Sequence, residues 1–186
     1  MYGVDLLVKE HENIKRMAVV MRAASLHVLN GGDLVVEDFD QMVDFVRNYA
    51  DKHHHKKEED ILFDHMKKEL GTVAEKLITH GMMVEHDLGR IHMMELDNAL
   101  RVYEETGSQD AKLDVIANTT GYTYLINRHI DKENTVVFQF GEKNLDEKVQ
   151  EVVNEKTRAM EDKATAEGLQ DKYLKMLSEL ESKYVK

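Results

Sequence analysis

In this 186-residue sequence a histidine is followed four residues later by a glutamate at His55 with Glu59 and at His129 with Glu133, more than seventy residues apart. Residues four apart lie one above the other on a helix, so each pair presents an imidazole and a carboxylate to the same neighbour. On a solvated helix such a pair is an ordinary polar contact. The second pair, however, sits inside an apolar stripe of Tyr122, Leu125, Ile126, Val136, Val137 and Phe140. A carboxylate buried there is costly unless a cation or hydrogen-bond donors meet it. The chain has no cysteine, so any transition metal it holds must be bound by imidazole and carboxylate.

The run His53-His54-His55 ahead of Glu58-Glu59 admits two registers, His54 with Glu58 or His55 with Glu59. At about 100° per residue, Leu62 and Met66 fall directly above His55 and Glu59. An α-helix therefore favours the second register and leaves Glu58 beside the site as an outer contact. His53, His54, His65 and the neighbouring lysines are then expected to face solvent. His11 fills the gap in an apolar series formed by Val4, Leu7, Ile14, Ala18 and Met21. His86 shares a helix side with Met82, Met83 and Met93. Together these residues give one inward histidine from each of four helices and one carboxylate from each of two. A bundle core is where such donors converge on a dinuclear metal centre.

The elements that must position them are readable from apolar spacing and glycine. A first helix is expected from Val4 to the Asn30-Gly31-Gly32 turn, and a second from about Val36 to Leu70, stopped by Gly71. Thr72 and Glu75 have the form of a capping box opening a third helix, which runs to about Glu105 before Gly107-Ser108. The fourth is expected from Asp110 to Phe140. Long helices joined by short glycine turns predict an all-α, up-down antiparallel four-helix bundle over 1–140, with further helices over 141–186 packed on it. The absence of proline and the 33% charged residues suit long helices with solvated faces, and 42% hydrophobic residues suffice for one core.

A net charge of -11 argues against nucleic acid or an anionic membrane surface as partner. Met1 to Glu10 carries Asp5 and Glu10 and no basic segment ahead of an apolar run, so no signal peptide is expected. No stretch approaches the roughly 18 apolar residues of a membrane span, and a cytoplasmic location is expected.

Four motifs in order, KEHENIKRM from Lys9, HHHKKEEDILF from His53, VEHDLGR from Val84 and LINRHIDKENTVVF from Leu125, resemble those of the hemerythrin-like, HHE cation-binding family. The resemblance implies a four-helix bundle holding a non-heme di-iron site, oxo- or hydroxo-bridged, with manganese or zinc as substitutes. Its ligands would be His11, His55, Glu59, His86, His129 and Glu133. If both glutamates bridge, each metal has open positions for an exogenous ligand. Oxygen-carrying members of the family use a further histidine where this chain has Arg90, which weighs against reversible oxygen transport. Arg90 is placed to balance a bridging carboxylate, and Tyr122, two turns before His129, to donate a hydrogen bond to a bound ligand. His80 and His92 lie about a third of a turn off the face of His86 at roughly 100° per residue.

The expected function is binding or sensing of dioxygen, peroxide, nitric oxide or iron itself, with a small diatomic or peroxide molecule as partner. The alternative is a di-iron oxidoreductase reducing peroxide or nitric oxide, which would need external electrons because no haem or nucleotide motif accompanies the centre.

Overall fold

In a computed structural model describing residues 1–185, the chain is all-helical, with no strand among the described residues. Helix α1 spans Tyr2–Leu29 and buries Val4, Leu7, His11, Ile14, Ala18 and Met21 along one face. Gly31, at φ 89°, turns the chain into α2, which covers 36–70. Gly71, at φ 65° and ψ -148°, separates α2 from α3, which covers 72–106. The expected capping box does not form there, because the Glu75 carboxylate accepts from Thr79 Oγ1 instead, at 2.7 Å. Gly107 closes α3 in the left-handed conformation, where a side chain would be strained. Ser108 Oγ then accepts from the Ala111 N–H and opens α4, which covers 109–144 and so continues past the expected end at Phe140.

The interior is two apolar clusters parted by a polar layer. One contains Ile14 to Val28 of α1, Phe39 to Ala50 of α2, Met93 to Leu100 of α3, and Val115 to Ile130 of α4. The other contains Val4 and Leu7, Ile61 to Met66, Ala74 to Met82, and Val137 with Phe138. The order in which a helix visits the two clusters reverses from each helix to the next, which makes the bundle up-down-up-down. Each helix crosses the polar layer once, at Glu10 and His11, at His53 to Glu58, at His86, and at His129 to Glu133.

The last two helices, α5 (Glu147–Ala166) and α6 (Leu169–Tyr184), turn back on each other at Gly168 and lie along the outside of α1 and α2. Asn154 Oδ1 of α5 accepts from the Gly3 N–H at 2.9 Å, and Arg16 of α1 pairs with Glu181 of α6. Lys186, the final residue of the expected 141–186 extension, lies outside the described residues. Among the described residues, no helix is long and apolar enough to cross a membrane.

α2 is not α-helical throughout. Its winding is π over Val46–His55 and Glu58–Phe63, and the same winding recurs at Ile78–Met82 in α3 and Glu133–Val137 in α4. A π turn takes in one residue more than an α turn, and such turns gather at functional sites. Here they fall at the polar layer or within one turn of it.

Candidate metal centre

Extra residues per turn decide which side chains of α2 face inward. His53, His54, His55, Lys57 and Glu58 are all buried, whereas Glu59 is partly exposed. This corrects the sequence expectation at four points. Glu58, not Glu59, reaches the interior, and His54 joins His55 there. His53 and Lys57, expected in solvent, are covered as well. The stretch is wound as π and not as α, so the inward face moves by one residue. His65 lies partly exposed against Lys156, and His80 and His92 stay away from the centre.

The inward donors form two groups. His55, His86, His129 and Glu58 make one; His11, His54, Glu58 and Glu133 make the other, and within each group the ligand atoms lie inside 4.8 Å of one another. Glu58 turns Oε1 to His54 and His11, at 3.3 and 3.7 Å, and Oε2 to His86, at 3.6 Å. Glu133 turns Oε2 to His11 and Oε1 to His129, both at 3.2 Å. Both carboxylates therefore span the groups, which present five imidazoles and two shared carboxylates. Of the expected set, His11, His55, His86, His129 and Glu133 are brought together and Glu59 is not; His54 and Glu58 complete the constellation. The signal for them was present as the His54/Glu58 register, but it can be chosen only if the π winding is known.

Every one of the five imidazoles is oriented from behind. Nδ1 of His54 bonds to Glu10 at 2.9 Å, that of His55 to Asp51 at 3.2 Å, that of His86 to Glu59 at 2.6 Å, that of His129 to Glu85 at 3.0 Å, and that of His11 to Asn134 Oδ1 at 2.8 Å. Three cations hold the four carboxylates in turn. Lys57 pairs with Glu10, Arg90 with both Asp51 and Glu59, and Lys132 with Glu85. A donated Nδ1–H fixes the tautomer that leaves a lone pair on Nε2, the arrangement metal-binding histidines use. Glu59 thus keeps a part in the centre, as the acceptor behind His86. Burial pushes its carboxyl up, but hydrogen bonds from His86 and Arg90 hold it at about 2. The bond from His129, with Lys132 assisting, holds Glu85 at about 2.

The interior atoms test whether a cation fits. Nε2 of His11, His54 and His55 and all four carboxylate oxygens of Glu58 and Glu133 are buried without a hydrogen-bond partner among the described residues. The Nε2 atoms of His86 and His129 face each other at 3.0 Å, so two lone pairs oppose unless a proton or cation lies between. Unpaired buried carboxylates and opposed lone pairs are each costly, and divalent cations relieve both at once. In the absence of metal the carboxylates draw protons instead. Burial pushes the His129 imidazole down, but Glu133 and Glu85 raise it to about 10. His54, opposed in the same way by Glu58 and Glu10, rises to about 9. Burial and the neighbouring His86 push His55 well below the ordinary imidazole range.

A cavity of about 150 Å³ adjoins the three-histidine group. His55 and His86 line it, Val46, Gly89 and Met93 form apolar walls, and Arg47, Arg90 and Asp51 add charged groups open in part to solvent. Tyr122 also lines it, with a buried hydroxyl that has no partner among the described residues. Burial and nearby Asp51 push this phenol up, so it remains an O–H donor. A Cβ on Gly89 would lie 3.5 Å from the Tyr122 ring, an ordinary contact, so α3 packs over that ring at normal distance.

Fold and site together define a helical-bundle protein whose interior His and Glu clusters are able to hold metal cations. The family description Hemerythrin HHE cation binding domain matches residues 2–140, and the chain belongs to that family. Neither the curated proteins nor the solved structures compared with it provide a match.

Proposed function

We propose that this protein holds two iron ions in the polar layer and binds dioxygen, peroxide or nitric oxide at the three-histidine end, as a binding or sensing protein. The observation that carries the reading is the sharing of Glu58 and Glu133 between two histidine groups beside a cavity that contains a free hydroxyl. Imidazole and carboxylate suit iron, and His55, His86 and His129 with oxygens of Glu58 and Glu133 would hold one ion, while His11 and His54 with the same two carboxylates would hold the other. Bound iron would supply redox chemistry and an open coordination position for a small ligand.

The chain's own residues would do the rest. Tyr122 Oη–H, without a partner among the described residues, is available as a donor to an incoming ligand, and Val46 and Met93 supply apolar walls beside it. Asp51 and Glu59, clasped by Arg90, hold His55 and His86 to their positions. Arg90 has no lone pair to offer a metal, and His55, reaching in from α2, is the third imidazole of that group.

Elemental analysis of protein purified without added metal tests this reading, together with near-ultraviolet absorption before and after reduction and re-exposure to air. About two irons per chain, with an absorption band that disappears and returns, is the expected result. Zinc alone, or a stable fold with no metal, overturns it. Sustained peroxide consumption with a reductant would move the assignment to an oxidoreductase.

A further inference from the structure

A third buried cluster stands behind the two-histidine group. Glu10, His53 and Glu161 lie close enough to hold a cation, and the ammonium of Lys57 already occupies that place. Lys57 has a fully buried side chain. Its Nζ bonds Glu10 Oε1, lies 2.8 Å from His53 Nε2 and donates to Glu161 Oε2 at 2.9 Å. The other oxygen of Glu10 accepts from His54 Nδ1 at 2.9 Å. On the far side, Gln170 Nε2 of α6 donates to Glu161 Oε1 at 2.8 Å. A continuous polar chain therefore runs from His54 through Glu10, Lys57 and Glu161 to the last helix.

The other imidazoles have no counterpart to this. His55, His86 and His129 are backed by Asp51, Glu59, Glu85, Arg90 and Lys132, and His11 by Asn134, all from α2, α3 and α4. Only His54 depends on residues beyond the 2–140 match to the family. We propose that Lys57 is a positioning residue for His54, and that Glu161 of α5 completes it, so the C-terminal helices form part of the His11/His54 metal position and not of the other.

The physical reason lies with Glu10. One of its oxygens must stay on His54 to fix the ring and its tautomer, and the ammonium pins the other oxygen. Without Lys57, buried Glu10 and part-exposed Glu161 would share only the His53 imidazole, 2.9 Å from Glu10 Oε1 and 3.3 Å from Glu161 Oε2, and Glu10 would be held less firmly on His54. Without Glu161, the ammonium loses one of its two carboxylates and its link to α6. The inference rests on the two-metal reading above.

Cobalt(II) titration of the full-length chain tests it, followed by visible absorption and by competition with a chelator. Wild type is expected to take up two cobalt ions. In Glu161→Gln and Lys57→Met, one ion should bind as in wild type and the other about tenfold more weakly, the low end of the cost of losing a ligand's own partner, because both residues act through Glu10. Glu85→Gln, on the opposite side, should weaken one ion, and Glu85→Gln with Glu161→Gln should weaken both. Two ions bound by folded Glu161→Gln with wild-type affinities overturn the proposal, and this variant decides the matter if Lys57→Met does not fold. A Glu161→Gln chain whose cobalt-free form loses as much thermal stability as its loaded form overturns it too, since the role would then be structural. Wild type that takes up fewer than two ions overturns the two-metal reading itself.

Discussion

His55 of α2 and His86 of α3 stack face to face, with ring centroids 3.9 Å apart and planes 10° from parallel. Behind them one guanidinium, Arg90, holds both of their acceptors, Asp51 and Glu59, each at 2.7 Å from Nη2. Two helices are thus locked in register by a single cation at the back of the centre.

Replacing that cation should loosen both rings. Arg90→Ala is expected to weaken the metal of the three-histidine group about 10- to 100-fold while the bundle still folds. Chelator competition reads the loss. An unchanged affinity would mean that Asp51 and Glu59 hold the imidazoles without help.

The register of α2 has a direct test. Glu58→Gln removes a carboxylate that faces both groups, so elemental analysis should find the chain unable to retain its metal pair. Glu59→Gln keeps an acceptor behind His86 and should retain both ions, bound at most about tenfold more weakly. The reverse pattern would restore the α-helical register.

Metal binding should release protons. His54 and His129, at about 9 and about 10 in the metal-free chain, are charged at neutral pH and must become neutral to ligate. Metal affinity should therefore fall as the pH is lowered, and a titration in weak buffer should show acidification. For the metal-free chain the sign is opposite. Both pKa values lie above the ordinary 6.5, so their stabilisation is complete below that value and disappears as pH rises through 9 to 10. Thermal unfolding of metal-free protein across this range checks it; a flat profile would show that these imidazoles are not charged.

Tyr122→Phe removes a hydroxyl that bonds nothing in the protein as described. Its thermal unfolding should match wild type, while the affinity of the loaded centre for nitric oxide or azide falls several-fold, the worth of one hydrogen bond at about 1 kcal/mol. Equal affinity would place the bound ligand elsewhere.

Gly71 and Gly107 ended helices where the sequence said they would, because a positive φ is nearly glycine's alone. His11, His86, His129 and Glu133 were legible too, as polar residues at apolar-periodic positions. Among the inward metal-binding residues, what escaped was confined to His53–Glu59. All seven of those residues are charged or titratable, on a helix of mixed character, and His53, His54 and Lys57 read as a solvated face. Two distant facts bury them: a π winding that the local sequence does not announce, and α5, more than a hundred residues on, which covers Lys57 with Glu161.

The two apolar clusters lie apart in space, yet all four bundle helices feed both of them. No contiguous piece of the bundle carries one cluster without part of the other, so neither half can melt while its neighbour stays ordered. Denaturation should accordingly be a single cooperative transition, with heat absorbed and helicity lost at the same temperature, even though the interior is divided in two.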